Sequence, residues 1–308
     1  MISGLLGGIF WGLGTVILGV AMQSSVFALV AASALLAPFV STFVHQAGSA
    51  VIMGGYMGLR GWLKDGMRVF RTRSALFIGI GAILGGPVGL SCYTASIQMI
   101  GPTYSAIITS MYPAVGALFA RIFLKEELRP VQWLGLFASI GGVIALGYTP
   151  GQTAAGNALL PGFLLAVACC VAWALEAVVC AVGLNDPGIT NEEALFVRNI
   201  CSAAFYAVVG VTAVKGWGLT AQVVVSDAMM PIMLAALAGV LSYIFYYRAI
   251  VQVGAAKAMA LNITYSAWAM VFSAFLMQAM PDVKSILCAV VIVVGSLVTT
   301  NGGKAKQE

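Results

Sequence analysis

Along this chain, apolar residues come in runs of about twenty, separated by short clusters of glycine, proline and charge. Runs of that length, nearly free of charge, match a helix rising about 1.5 Å per residue across the hydrocarbon core of a bilayer. Breaking the chain at the clusters predicts ten spans, near 3–22, 38–60, 74–98, 102–124, 130–149, 158–183, 191–214, 228–250, 256–279 and 282–301. The stretch 24–37 is apolar but runs into Pro38, and either extends the first span or lies near the interface. In the third span, "GGPVG" sets Pro87 among glycines, which predicts a kinked or broken helix.

Composition agrees with the pattern. Of 308 residues, 61% are hydrophobic and 8% charged, and the mean hydropathy is +1.01; a soluble domain carries about 25% charge. The expected class is an all-α integral membrane protein. Met1 leads directly into apolar sequence without a basic leader, which reads as a retained first helix. The six cysteines lie inside apolar runs with no metal-ligand spacing and read as small packing residues. No cofactor is expected, and the basic pI near 8.9 needs no nucleic acid, because the basic residues flank the spans.

The placement of those basic residues predicts orientation. One set of loops holds Arg60, Lys64, Arg68, Arg71, Arg73, Arg121, Lys125, Arg129, Arg248 and Lys257, with Lys304 and Lys306 in the tail. The opposite set holds Lys215 and Lys284. Both termini are therefore expected in the cytoplasm. The segment "RGWLKDGMRVFRTR" mixes basic and apolar side chains and predicts a short helix on the inner leaflet.

Sliding the chain against itself by 153 residues pairs Tyr93 with Tyr246, Gly101 with Gly254, Tyr112 with Tyr265 and Gly142 with Gly295. Phe43 then meets Phe196 and His45 meets Arg198, while an offset of 162 pairs Trp11 with Trp173. Five spans per half is odd, so the halves, residues 1–150 and 156–303, are expected as two inverted five-helix repeats forming one transport unit. Gly4, Gly8 and Gly12, and again Gly81, Gly85 and Gly89, have the spacing of close helix packing.

Such a repeat with "SAIITSMYPAVGALFARIFLKEELRPVQWLGLFASIGGVIALG", including Pro113 and Glu126, resembles the drug/metabolite transporter (DMT) superfamily, EamA type. The stretches "GLLGGIFWGLG", "GAILGGPVGL", "AWALEAVV", "EEALFVRN", "LSYIFYYRAI" and "KAMALNITYSAW" are similar to choline permeases of LicB type. This resemblance implies a bacterial inner-membrane importer of choline or a related quaternary ammonium compound, coupled to protons, in a multi-pass chain acting as monomer or homodimer.

The residue chemistry is compatible with such a cargo. Quaternary ammonium has no hydrogen to donate and is recognised by ring faces. Trp11, Trp173, Tyr112 and Tyr265 are the leading cage candidates, with Tyr93, Tyr243, Tyr246, Tyr247 and Trp268 as further rings; each can equally serve as packing. Glu176 follows Trp173 by three residues on the same helical face and offers a counter-charge. Arg198 is expected at similar depth, about 10 Å from the inner end, so an ion pair with Glu176 competes with the ligand role. His45, the one histidine, is either a proton-coupling group or a hydrogen-bonded packing residue. Asn262 is a candidate for the substrate hydroxyl, with Gln46, Gln98 and Asn199 as unranked polar candidates. A DMT-type exporter of amino acids, drugs or other metabolites is the alternative reading. An enzyme is disfavoured: the sequence holds no HExxH, Ser-His or Cys-His set, and no nucleotide-binding loop.

Overall fold

The computed structural model describes residues 1–30, 35–147, 159–278 and 280–300, without the side chains of 97, 98, 101–104, 106, 107, 147 and 159. Residues 31–34 of the 24–37 stretch, both expected repeat boundaries, and the tail with Lys304 and Lys306 lie outside this description, as does the side chain of Gln98.

The apolar runs fold as helices because each closes its backbone hydrogen bonds within itself, as a hydrocarbon solvent demands. The first half contains α1 (Ile2–Ala21), α2 (Ser25–Ala28), α3 (Leu36–Leu59), α4 (Leu63–Val69) and α5 (Arg73–Ile83). A π-helical turn, Leu84–Leu90, joins α5 to α6 (Ser91–Thr109), followed by α7 (Tyr112–Phe119) and α8 (Pro130–Gly147). The second half contains α9 (Leu159–Leu184), α10 (Asn191–Phe205), α11 (Trp217–Val224), α12 (Met229–Val253), α13 (Ala255–Asn262), α14 (Tyr265–Leu276) and α15 (Val283–Thr300). Among the described residues, eight helical stretches are long and apolar enough to cross a membrane; Tyr112–Leu124 and Pro130–Leu146 are apolar but shorter.

Two expectations are corrected. The third and fourth spans were expected to part between residues 98 and 102, yet the helix continues past Pro102 and stops at Thr109. The interruption falls at Ser110–Met111 because Pro113 suits the opening turn of the next helix, where its missing N–H is not needed. The ninth span was expected as one helix and is two, parted at Ile263–Thr264. These interruptions stand 153 residues apart, the offset of the tyrosine pairs. Pro87 behaves as expected, accommodated by the π turn. Residues 25–28 do not extend the first span; they form a separate turn whose Val26 and Phe27 are buried with Val40 and Val44 of α3.

Helix neighbours recur between the halves. α1 packs on α12 and α14; α9 packs on α5–α6 and α7; α3 meets α10, and α8 meets α15. The last pair shows how closely the backbones approach. Ser139 Oγ donates to the carbonyl of Ile292 at 3.0 Å, and Ser139 and Ser296 share a hydroxyl contact of 3.1 Å.

The helix ends that carry most of the basic loop residues, called here the basic end, are tied together. Glu126 accepts from the backbone N–H groups of Ala255 and Ala256 at 2.8 and 3.0 Å, capping α13 where its dipole favours negative charge. The chain enters that cap through Gly254 at φ +89°, beside the same carboxylate. Arg248 pairs with Glu192 at 2.7 Å. Ser74 donates to Asp186 at 2.7 Å; that bond and one from the Gly188 N–H hold the Asp186 carboxyl below its ordinary pKa. α13, at this end, is buried almost throughout, whereas Ala267 is the buried residue of α14.

The α8–α15 crossing is directly testable. A Cβ on Gly295 would meet the Gly135 carbonyl oxygen and Ser139 Oγ at 2.6 Å, whereas one on Gly141 would meet open space. Gly295→Val is expected to cost about 1–3 kcal/mol by overpacking and to lower the unfolding temperature in detergent. Gly141→Val is expected to leave that temperature unchanged.

Candidate functional site

At mid-depth, where α1, α9 and α12 meet the π turn and the α13–α14 joint, the helices enclose a cavity. Its charged element is set by local sequence on α9 and α10. Thr190 and Glu193 form a capping box, with Glu193 N to Thr190 Oγ1 at 3.2 Å and Thr190 N to Glu193 Oε2 at 2.8 Å. That box starts α10 and places Arg198 two turns in, buried. Glu176 lies on α9, about 12 Å along the helix from its end at Leu184.

The two residues meet. Arg198 Nη2 donates to Glu176 Oε1 at 2.7 Å and Nε donates to the same oxygen at 3.1 Å. The Tyr243 hydroxyl also donates to Oε1, at 3.2 Å, while accepting from Arg198 Nη2. The guanidinium carbon stands 3.6 Å from the Tyr243 ring centroid, a cation–π arrangement. The three bonds to Glu176 all end on Oε1; the second oxygen, Oε2, lies beside Gly85.

Gly85 explains how a carboxylate fits there. The glycines of the third span face α9 rung by rung: Gly81 opposite Cys180, Gly85 opposite Glu176 and Gly89 opposite Trp173. A Cβ on Gly85 would overlap the Glu176 carboxylate. The wider π turn also leaves carbonyls for side chains, and Trp173 Nε1 donates to Gly85 O at 3.0 Å. Tyr206 donates to Gly86 O at 3.2 Å. At the same offsets in the other half, Glu176 corresponds to Gly14 and Gly85 to Ala238. There a Cβ on Gly14 would touch the Ala238 Cβ at 3.4 Å. Side chain and gap are exchanged between the two helix pairs.

The rings form the remaining wall. Trp11, Tyr112, Trp173, Tyr243, Tyr246 and Tyr265 all line the cavity, together with Glu176, Arg198 and Asn262. Trp11 meets Tyr243 edge-on at 5.6 Å, and Trp173 meets Tyr112 at 6.0 Å. Asn262 Nδ2 donates to the Tyr112 hydroxyl at 3.3 Å, so part of its capacity is already used.

Four candidates stand outside the wall. Tyr93 lies behind Trp173 at 5.4 Å, and Tyr247 is fully buried behind Tyr243 with its hydroxyl 3.5 Å from Cys180 Sγ. Trp268 lies against Gly12, and its indole N–H makes no hydrogen bond among the described residues. His45 Nε2 lies 3.3 Å from the Ala235 carbonyl, tucked against Gly239 of α12. Of the unranked polar residues, Gln46 lines the cavity, whereas Asn199 donates to Ser49 O at 3.4 Å. Sequence reasoning missed Gly85, Gly86, Leu90 and Ser242 as wall residues. The "GGP" signal could have located the first two, since a π turn presents its carbonyls sideways.

A bundle of membrane-crossing helices around a mid-depth cavity with rings and a buried ion pair defines a membrane carrier of small molecules. The chain belongs to the EamA-like transporter family, whose model matches residues 1–148 and 160–301. It is 28% identical over 245 residues to Protein LicB of Haemophilus influenzae, covering 77% of this chain and 81% of that protein. It is 27% identical over 130 residues to the aromatic amino acid exporter YddG of Ancylobacter novellus, covering 41% and 44% respectively. A solved structure titled only as the crystal structure of a protein superposes with a TM-score of 0.71 at 16% identity, covering 97% of this chain and 95% of that one. The last likeness concerns the fold alone.

Removing one partner of a buried ion pair leaves the other uncompensated, at about 3–5 kcal/mol. Glu176→Gln and Arg198→Gln are each expected to destabilise the protein by that order. The double variant is expected to recover more than half of the loss. A double-mutant cycle of unfolding in detergent measures it; simple additivity would mean that the pair contributes no coupling.

Proposed function

We propose that the chain imports choline or a similar quaternary ammonium cation across the bacterial inner membrane, by alternating access and coupled to protons. The observation that carries this reading is the cavity wall: rings from five helices converge around one carboxylate whose second oxygen is not taken by Arg198. Each ring face contributes about 0.5–2 kcal/mol to a cation, enough together for micromolar-range holding yet weak enough individually for release. The similarity to LicB-type permeases in the stretches around Trp11, Glu176, Arg198 and Tyr243 points the same way.

In this reading the two halves are inverted five-helix repeats and both termini are cytoplasmic. Support comes from the recurring helix neighbours, from the interruptions 153 residues apart, and from a family model that matches the chain in two stretches. The basic end is then the cytoplasmic end, and its Glu126, Arg248–Glu192 and Ser74–Asp186 ties form the inner seal.

One observation favours a second reading. Arg198 lines the cavity and its guanidinium suits a carboxylate, so an amino acid could place its ammonium at Glu176 and its carboxylate at Arg198. This is the DMT-type exporter, and the stretch similar to an aromatic amino acid exporter is compatible with it.

Purified protein in liposomes is expected to accumulate labelled choline, with competition by trimethylammonium compounds and little by neutral amino acids. Trp173→Ala and Glu176→Gln should each lower uptake at least tenfold. Transport of amino acids without accumulation of choline, and lost in both Glu176→Gln and Arg198→Gln, would favour the exporter instead. For proton coupling, an imposed pH gradient should raise accumulation in the wild type but not in His45→Ala. A gradient without effect in either protein would remove His45 from the mechanism.

A further inference from the structure

Arg198 makes the two contacts that a quaternary ammonium cargo needs. It holds Glu176 Oε1 through two N–H groups, at 2.7 and 3.1 Å, and it covers one face of the Tyr243 ring at 3.6 Å. Carboxylate and ring face are the recognition chemistry of an organic cation, and both are in the wall of the cavity.

We infer that Arg198 is a tethered stand-in for the cargo: it occupies the cation position in the cargo-free carrier and yields Glu176 and the Tyr243 face when cargo binds. The inference rests on the reading of the cargo as an organic cation.

The physical reason is the cost of an unpaired carboxylate on the cargo-free crossing; the loaded crossing carries the positive charge of the displaced arginine instead. A carrier completes net uptake by returning without cargo, and a lone Glu176 carboxylate would have to be carried through that step. With Arg198 in place the pair is neutral, so the return exposes no uncompensated anion. When cargo enters, its positive charge replaces that of Arg198 at the acid. The arginine reaches Glu176 across adjacent helices by a long flexible side chain, and Gln46 of α3 in the same wall offers a carbonyl oxygen to the displaced guanidinium. Oε2 takes neither of the Arg198 bonds and lies against Gly85 of the same wall.

A permanent structural bridge would behave differently, and two transport modes separate the cases. Exchange in choline-loaded liposomes keeps cargo in the carrier on both crossings, whereas net uptake into choline-free liposomes requires the cargo-free return. Arg198→Gln is expected to bind choline at least threefold more tightly and to raise the ratio of exchange to net uptake at least tenfold. Methylguanidinium is expected to compete with choline for Arg198→Ala. A ratio equal to that of the wild type, or binding weakened in step with both modes, would overturn the stand-in role. If Arg198→Gln fails to fold, Arg198→Lys carries the test. Lysine keeps the charge needed for the return but loses the planar fork that grips Glu176 and covers Tyr243, so tighter choline binding with an unchanged ratio supports the inference, and binding no tighter than in the wild type overturns it. A wild type that carries choline in neither mode would overturn the proposed cargo, and this inference with it.

Discussion

Two opposite charges held together in a hydrocarbon setting govern this molecule. Glu176 and Arg198 sit well inside their helices, where each alone would face a desolvation penalty of several kcal/mol. Their contact at 2.7 Å offsets that penalty only because neighbouring elements fit around it. The Thr190–Glu193 cap sets the phase of α10, the π turn brings Gly85 alongside the acid, and Tyr243 completes the hydrogen bonding. The cap and the π turn are local features and Tyr243 comes from a distant helix, yet all three meet at the pair.

The rings follow from the same geometry. Trp173 and Glu176 share a face of α9, so whatever positions the acid positions the indole. The indole is fixed further by its bond to the Gly85 carbonyl, and Tyr93 backs it from behind. On the other side, Tyr243 stands between Arg198 and Trp11 while Tyr246 and Tyr247 brace it. The cavity therefore has two aromatic walls built on the same principle: a tryptophan from one helix set against a tyrosine from another.

Much of this was legible in the chain, because a membrane solvent makes patterns stark. Twenty-residue apolar runs, a lone acid and one deeply placed arginine allow few interpretations, and counting residues to the helix ends put Glu176 and Arg198 at similar depth, leaving a pair and a ligand role both open. The helix interruptions were less legible: Gly101–Pro102 looks like a break, yet the break waits for Ser110–Met111, just ahead of Pro113. Side-chain direction was legible only in part. Tyr243, Tyr246 and Tyr247 are alike in sequence, but rotation of α12 puts two in the wall and one behind. His45 depended on a partner 190 residues away, the carbonyl of Ala235, which no local pattern announces.

The exchange of gap and side chain between the two helix pairs constrains how such a site can arise. With alanine at 85, as at the corresponding Ala238, the Glu176 carboxylate would have to leave its present position; with glycine at 85 and no acid, a small void remains. The two changes are therefore not interchangeable. Glycine at 85 costs little without the acid, whereas the acid in its present position depends on the glycine.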